Sequence, residues 1–151
     1  MSSFTKPLDV RKVITKVPKK FLWVVSYKRT KQRWVTLREF RYYVGKENSN
    51  DYVDVPKGFE TDFASIPRVL WSIAPPDGVY TQAAVLHDYL YQTGKYPRKK
   101  ADRIFLEAMA VLGVALWKRR VIYRAVRLFG WMFFEQEKRR KGRARCGKDF
   151  L

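Results

Sequence analysis

The 151 residues include one cysteine, Cys146, and one histidine, His87. A lone cysteine excludes an intrachain disulfide, and one cysteine with one histidine excludes a Cys/His zinc cluster. A secreted fold held together by disulfides is excluded on the same count. Acidic side chains are scarce: 14 Asp and Glu stand against 32 Lys and Arg, a net charge of +18. Long apolar runs are missing as well. The best, Ala108 to Trp117, is ten residues, whereas a bilayer span needs about 18 or more; it reads as a buried helix. The first residues show no basic region, apolar stretch and small-residue cleavage site in series, so no signal peptide is expected and synthesis is expected in a cytoplasm.

Hydrophobic residues make up 46% and aromatic residues 16% of the chain, which describes a folding sequence and not a disordered basic tail. The length suits one domain with a real core. The positive charge is unevenly laid out. Residues 1–60 carry a net +8, residues 61–117 a net +1 and residues 118–151 a net +9. Basic ends enclosing a nearly neutral middle point to polyanionic partners: DNA, an anionic membrane, or an acidic surface in an assembly.

The first third reads as β. Phe21 to Tyr27 and Trp34 to Val44 are aromatic and β-branched, and Lys28 to Arg33 between them reads as a hairpin loop. Glu47-Asn48-Ser49-Asn50 reads as a turn before a strand at Asp51 to Val55. A three-stranded antiparallel meander is the simplest arrangement, with residues 1–20 as an arm or edge strand. The remainder reads as α. A helix is expected over Val79 to Gln92, a break at Thr93 to Pro97, and a second helix over Arg98 to Leu112. Gly113 interrupts it. From Leu116 to about Lys138 a long basic helix is expected, with Val121, Ala125, Leu128 and Met132 on its apolar face. Strands first and helices second give an α+β class. The expected layout is an arm over 1–20, one α+β domain over 21–137 and a basic tail over 138–151.

The chemistry-bearing residues lie in the neutral middle. His87 is five residues before the expected end of its helix at Gln92, and Asp102 is five residues after Pro97. In an antiparallel helical hairpin both lie about 7.5 Å from the turn, at 1.5 Å per residue. An imidazole and a carboxylate at equal height can hydrogen-bond, which is the base–orienter pair of a general base. Asp88 points about 100° away from His87 and is expected to reach the loop Gly58 to Arg68, which holds Asp62. The two carboxylates with backbone carbonyls make a candidate oxygen site for a hard cation such as calcium. Candidate polyanion contacts are Arg119, Arg120, Arg124 and Arg127 on the long helix and Lys138, Arg139, Arg140 and Lys141 in the tail.

Each of these features also has a purely structural reading. His87 can be a satisfied core histidine, and Asp102 a favourable charge in a first helical turn. Asp62 can cap a short helix over Ile66 to Ile73. The basic helix can be a solvated amphipathic face. Ser65 lacks the Gly-x-Ser-x-Gly elbow of a serine nucleophile. Cys146 lies between Arg145 and Lys148, cations that favour a thiolate.

Three blocks occur in order: Val55 to Arg68 (VPKGFETDFASIPR), Ala83 to Tyr91 (AAVLHDYLY) and Ala101 to Phe105 (ADRIF). Over residues 50–130 this pattern resembles a family of tailed-phage and prophage proteins catalogued as a domain of unknown function. The resemblance implies a phage origin, and with it a virion or tail association and other virion proteins as partners. A second, local resemblance is to the active-site helices of secreted and parvoviral phospholipases A2, carried by His87-Asp88-x-x-Tyr91 and Ala101-Asp102-x-x-Phe105. It implies that His87 activates a water, Asp88 binds calcium and Asp102 orients His87. Ala74-Pro75-Pro76-Asp77-Gly78 stands where that family has a glycine-rich calcium loop. Three accounts remain open: an envelope-directed ester hydrolase, a non-catalytic structural or assembly protein whose basic ends bind DNA or virion partners, or a nucleic-acid-binding regulator or nuclease.

Overall fold

In a computed structural model, which describes residues 3–18, 28–61, 79–128, 130 and 131, the chain passes from strands to helices. The strands are β1 (Ser3–Phe4), β2 (Val10–Pro18), β3 (Lys28–Thr36), β4 (Phe40–Tyr43), β5 (Tyr52–Val55) and β6 (Glu60–Thr61). The helices are α1 (Thr81–Thr93), α2 (Arg98–Val111) and α3 (116–128, continuing at 130 and 131). This is the α+β order expected from the sequence. The strands divide into two antiparallel three-stranded sheets, ordered β1-β4-β5 and β2-β3-β6.

Alternation explains the first sheet. Phe40 and Tyr42 on β4 and Val53 and Val55 on β5 are buried, while the residues between them are not. The register pairs Phe40 with Val55 and Tyr42 with Val53, so four apolar side chains share the face that meets the helices. The second sheet corrects the sequence reading. Lys28 to Arg33 is not a loop: it is the first part of β3, paired with β2 from Val10–Thr36 through to Pro18–Lys28. A polar strand needs no apolar alternation when the ladder with its neighbour supplies its backbone hydrogen bonds. The chain then breaks at 37–39, so Trp34 to Val44 is two strands in different sheets. The expected strand Phe21 to Tyr27 lies outside the described residues.

Thr36 fixes the segment that leads towards the site. It is buried; its hydroxyl donates to the Pro56 carbonyl at 2.8 Å and accepts from the Phe59 amide at 2.9 Å. Its backbone bonds Gly58 and Phe59. Phe59 in turn meets Tyr89 of α1 edge-on, ring centres 5.2 Å apart.

Helix α1 stops where glycine allows it. Gly94 takes φ 66° in the left-handed region and returns its amide to Leu90 O. Pro97 then precedes α2, where its missing N–H costs nothing. The turn is clamped to β5 through Asp51, which accepts from the Tyr96 hydroxyl and from Lys100 Nζ. Those two bonds outweigh burial and hold Asp51 below its ordinary carboxylate value.

A second tie joins sheet to helix. Glu107 Oε1 on α2 accepts from the buried Tyr42 hydroxyl and from the Gly45 amide, both at 2.9 Å. Glu107→Gln keeps one acceptor oxygen but loses its charge, so a loss of about 0.5–1.5 kcal/mol is expected in urea unfolding. An unchanged midpoint would show that this tie contributes nothing to stability.

Helix α3 also differs from expectation. Its inward residues are Ile122, Ala125, Val126 and Gly130; Val121 and Leu128, expected inside, are exposed. Met132 lies outside the described residues. The rotation follows from two contacts with the α1–α2 hairpin. Gly130 meets Tyr91 so closely that a Cβ there would lie 2.8 Å from the tyrosine oxygen, and Arg127 reaches into the α1–α2 hairpin.

Candidate His–Asp site

α1 is buried on nearly every side, so its polar side chains must find partners inside the protein. His87 and Asp102 both have zero exposure. His87 Nε2 lies 2.9 Å from Asp102 Oδ1, as the equal heights on the hairpin predict. The small residues Ala83, Ala84 and Ala101 at zero exposure let the helices approach. The imidazole is held between Tyr91 and Phe105, ring centres 4.1 and 4.7 Å away.

Asp102 is the hub. Besides His87, its Oδ1 accepts the Tyr91 hydroxyl at 2.5 Å, and its Oδ2 accepts Arg127 Nη1 at 2.7 Å. Burial alone would raise its pKa, but bonds from His87, Tyr91 and Arg127 bring it below the ordinary carboxylate value. An ionised Asp102 accepts only. The assigned tautomer therefore has a proton on His87 Nε2. Tyr91 is pushed well above the usual phenol range, by burial first and then by its bond to Asp102. Arg127 is raised in turn, chiefly by its bond to Asp102.

Asp88 points elsewhere, as its position on α1 requires. It is buried and accepts a hydrogen bond from the Thr61 hydroxyl of β6. The expected meeting of Asp88 with the Gly58–Arg68 segment therefore occurs at Thr61. Asp62 lies outside the described residues, as do Ser65, Cys146 and the expected cap over Ile66 to Ile73. Among the described residues, no group of three or more His, Cys, Asp or Glu side chains is placed to hold a metal ion.

The four arginines proposed for polyanion contact separate into two kinds. Arg120 and Arg124 are exposed. Arg127 is committed to Asp102, and Arg119 is half-buried with its Nε enclosed. Lys138, Arg139, Arg140 and Lys141 lie outside the described residues. Sequence reasoning took Arg127 for a polyanion contact and not for a partner of Asp102, and it did not single out Gly130. Their spacing from Asp102, 25 residues for Arg127, gives no periodic signal.

The fold and site define an α+β protein whose helical hairpin encloses a His–Asp pair, braced by a tyrosine and by an arginine from a third helix. Residues 34–126, more than half of the chain, match the family described as Protein of unknown function (DUF1353), and the chain belongs to it. Uncharacterized protein y4jT of Sinorhizobium fredii (strain NBRC 101917 / NGR234) is 40% identical over 78 residues, which are 50% of this chain and 23% of that protein. The match thus spans under a quarter of that curated relative's length. No solved structure matches the chain. Among the described residues, no helix is long and apolar enough to cross a membrane.

Proposed function

We propose that this is a virion- or tail-associated protein of a tailed bacteriophage, made in the host cytoplasm, whose His87–Asp102 pair activates water against an ester of the host envelope. The observation that carries the reading is the arrangement at Asp102. Its carboxylate takes His87 Nε2 at 2.9 Å while Tyr91 and Arg127 hold it in place. In this reading Nδ1 serves as the base. The base removes a proton from water as the water oxygen attacks the ester carbonyl carbon. The imidazolium, stabilised by Asp102, then returns the proton to the leaving alkoxide. Support for the phage and lipid parts comes from the three sequence blocks and from the His87-Asp88-x-x-Tyr91 pattern.

Calcium is the cation this reading uses. Asp88 and Thr61 offer hard oxygen donors, which fit calcium in kind but not in number, since a shell takes about six to eight. Asp62 would have to contribute. When bound, the ion would stabilise negative charge developing on the ester oxygen.

A second reading has its own observation. Zero exposure of His87 and Asp102 gives water no path to the imidazole in this conformation, which counts against hydrolysis and suits a buried polar network that fixes the hairpin of a non-catalytic virion protein. Its basic ends would bind DNA or virion partners. Fatty-acid release from anionic phospholipid vesicles, with calcium or a chelator, separates the two. Calcium-dependent release that falls by about 100-fold or more in His87→Gln, with the fold intact, is expected. No release from the folded wild type would sink the hydrolytic reading and leave the structural one.

A further inference from the structure

Helix α3 carries a second apolar stripe that the core does not use. Trp117, Val121, Leu128 and Trp131 are 58, 37, 67 and 56% exposed. At about 100° per residue they fall within an arc of roughly 80°, turned away from buried Ile122 and Val126. Exposed apolar side chains are ordinary singly; a row of four containing two tryptophans marks a contact surface. The charge around the row has one sign. Residues 116–131 contain Lys118, Arg119, Arg120, Arg124 and Arg127 and no acidic residue. Arg124 falls in the middle of the row and Arg120 at its border.

We infer that this face of α3 is the surface by which the protein lies on an anionic lipid bilayer, with the helix axis in the membrane plane. The inference deepens the lipid-ester reading, on which it rests for its purpose, by naming the surface and headgroup charge. The chemistry selects lipid over the alternatives. Duplex DNA takes phosphate contacts from cations and makes no use of an aliphatic row such as Val121 and Leu128. A protein partner enclosing Arg124 would have to pair its guanidinium with a buried carboxylate, whereas a bilayer leaves that group among the headgroups. At a bilayer, the stems of Arg120 and Arg124 can lie along the apolar row while their guanidinium groups reach headgroup phosphates. Tryptophan suits the same boundary, with its ring in the apolar layer and its N–H in the wet one. The same helix holds Asp102 through Arg127, so the helix that carries the apolar row also braces the His–Asp pair.

The test is sedimentation of the full chain, in chelator, with vesicles of phosphatidylcholine alone or of an equimolar phosphatidylcholine–phosphatidylglycerol mixture. The wild type is expected to bind the anionic vesicles preferentially, with a blue shift of tryptophan fluorescence. Trp117→Ser with Trp131→Ser leaves net charge unchanged and is expected to weaken that binding about tenfold or more. Trp117→Phe with Trp131→Phe is expected to restore most of it. Leu128→Gln, at a single exposed position, is the second variant should the double serine variant fail to fold, and binding weakened in it supports the surface equally. Arg120→Gln with Arg124→Gln is expected to abolish the preference for phosphatidylglycerol. Folded serine and Leu128→Gln variants that bind like the wild type would overturn the inference, as would a wild type that binds duplex DNA but no vesicle. Binding is read without turnover: loss of hydrolysis with binding intact sinks only the catalytic reading, and loss of binding alone sinks only the surface.

Discussion

Asp102→Asn is expected to destabilise the protein by about 3–5 kcal/mol, the cost of removing one partner from a buried ionic contact. For a chain of this size that is a fall of roughly 6–20 °C in Tm. The geometry explains why so small a change acts so strongly. Asp102 presents two acceptor oxygens to three donors, His87 Nε2, Tyr91 Oη and Arg127 Nη1. Asparagine keeps one acceptor and turns an amide N–H₂ towards a donor. At zero exposure no solvent can relieve that clash. Arg127→Met removes a donor rather than the hub, and its partly exposed guanidinium is partly screened, so a smaller loss is expected. Thermal melts of both variants check the order. An Asp102→Asn protein as stable as the wild type would mean that the network is not a source of stability.

The same residue sets an acid dependence. Asp102 has a folded-state pKa below its ordinary value, which is about 3.9 in an unfolded chain. Between those two values the unfolded state binds the extra proton, so stability rises with pH there. The contribution is fully present above about pH 4 and is lost as pH falls through the folded-state value. Asp51 adds in the same direction through Tyr96 and Lys100. The wild type should therefore lose stability steeply below about pH 4, and Asp102→Asn should show a shallower acid limb in the same titration.

What was readable from the sequence was local. Pro97 and the Thr93–Tyr96 break set the ends of α1 and α2 to within a residue or two, and equal spacing from that break placed His87 opposite Asp102. The turn at Glu47 to Asn50 marked the start of β5 to within a residue. What was not readable depended on distant partners. The polar run 28–33 shows no apolar alternation, and only its ladder with 10–18 makes it a strand. On α3, periodicity found an apolar face but could not choose between two. Val121 and Leu128 lie on one stripe, Ile122 and Val126 on another, and Ala125 between them. The inward choice is made by contacts far away in sequence, Arg127 with Asp102 and Gly130 with Tyr91. For the same reason Arg127 looked like one more surface cation. Arg120 and Arg124 remained at the surface.

Gly130 allows that inward choice to be tested by a change of sign. Alanine is ordinarily favoured over glycine inside a helix by about 1 kcal/mol, so Gly130→Ala at an open position would stabilise α3. Here the added methyl would lie 2.8 Å from the Tyr91 oxygen. That oxygen cannot swing aside freely, because it is bonded to Asp102 at 2.5 Å in a buried site. Either Tyr91 leaves Asp102 or α3 lifts away and draws Arg127 with it. A net loss of about 1–3 kcal/mol is expected, as for overpacking in a core. Tyr91→Phe removes the clashing oxygen, and the neighbouring contacts, to the Val126 methyl at 3.5 Å and the Tyr91 ring at 3.6 Å, are ordinary. In the Tyr91→Phe background Gly130→Ala should therefore become neutral or stabilising, with a coupling of at least about 1 kcal/mol between the two sites. Urea unfolding of the two single variants and the double variant measures it. Additive losses would mean that α3 does not pack on Tyr91 as described, and that the contact between Arg127 and Asp102 is not held in place by this crossing.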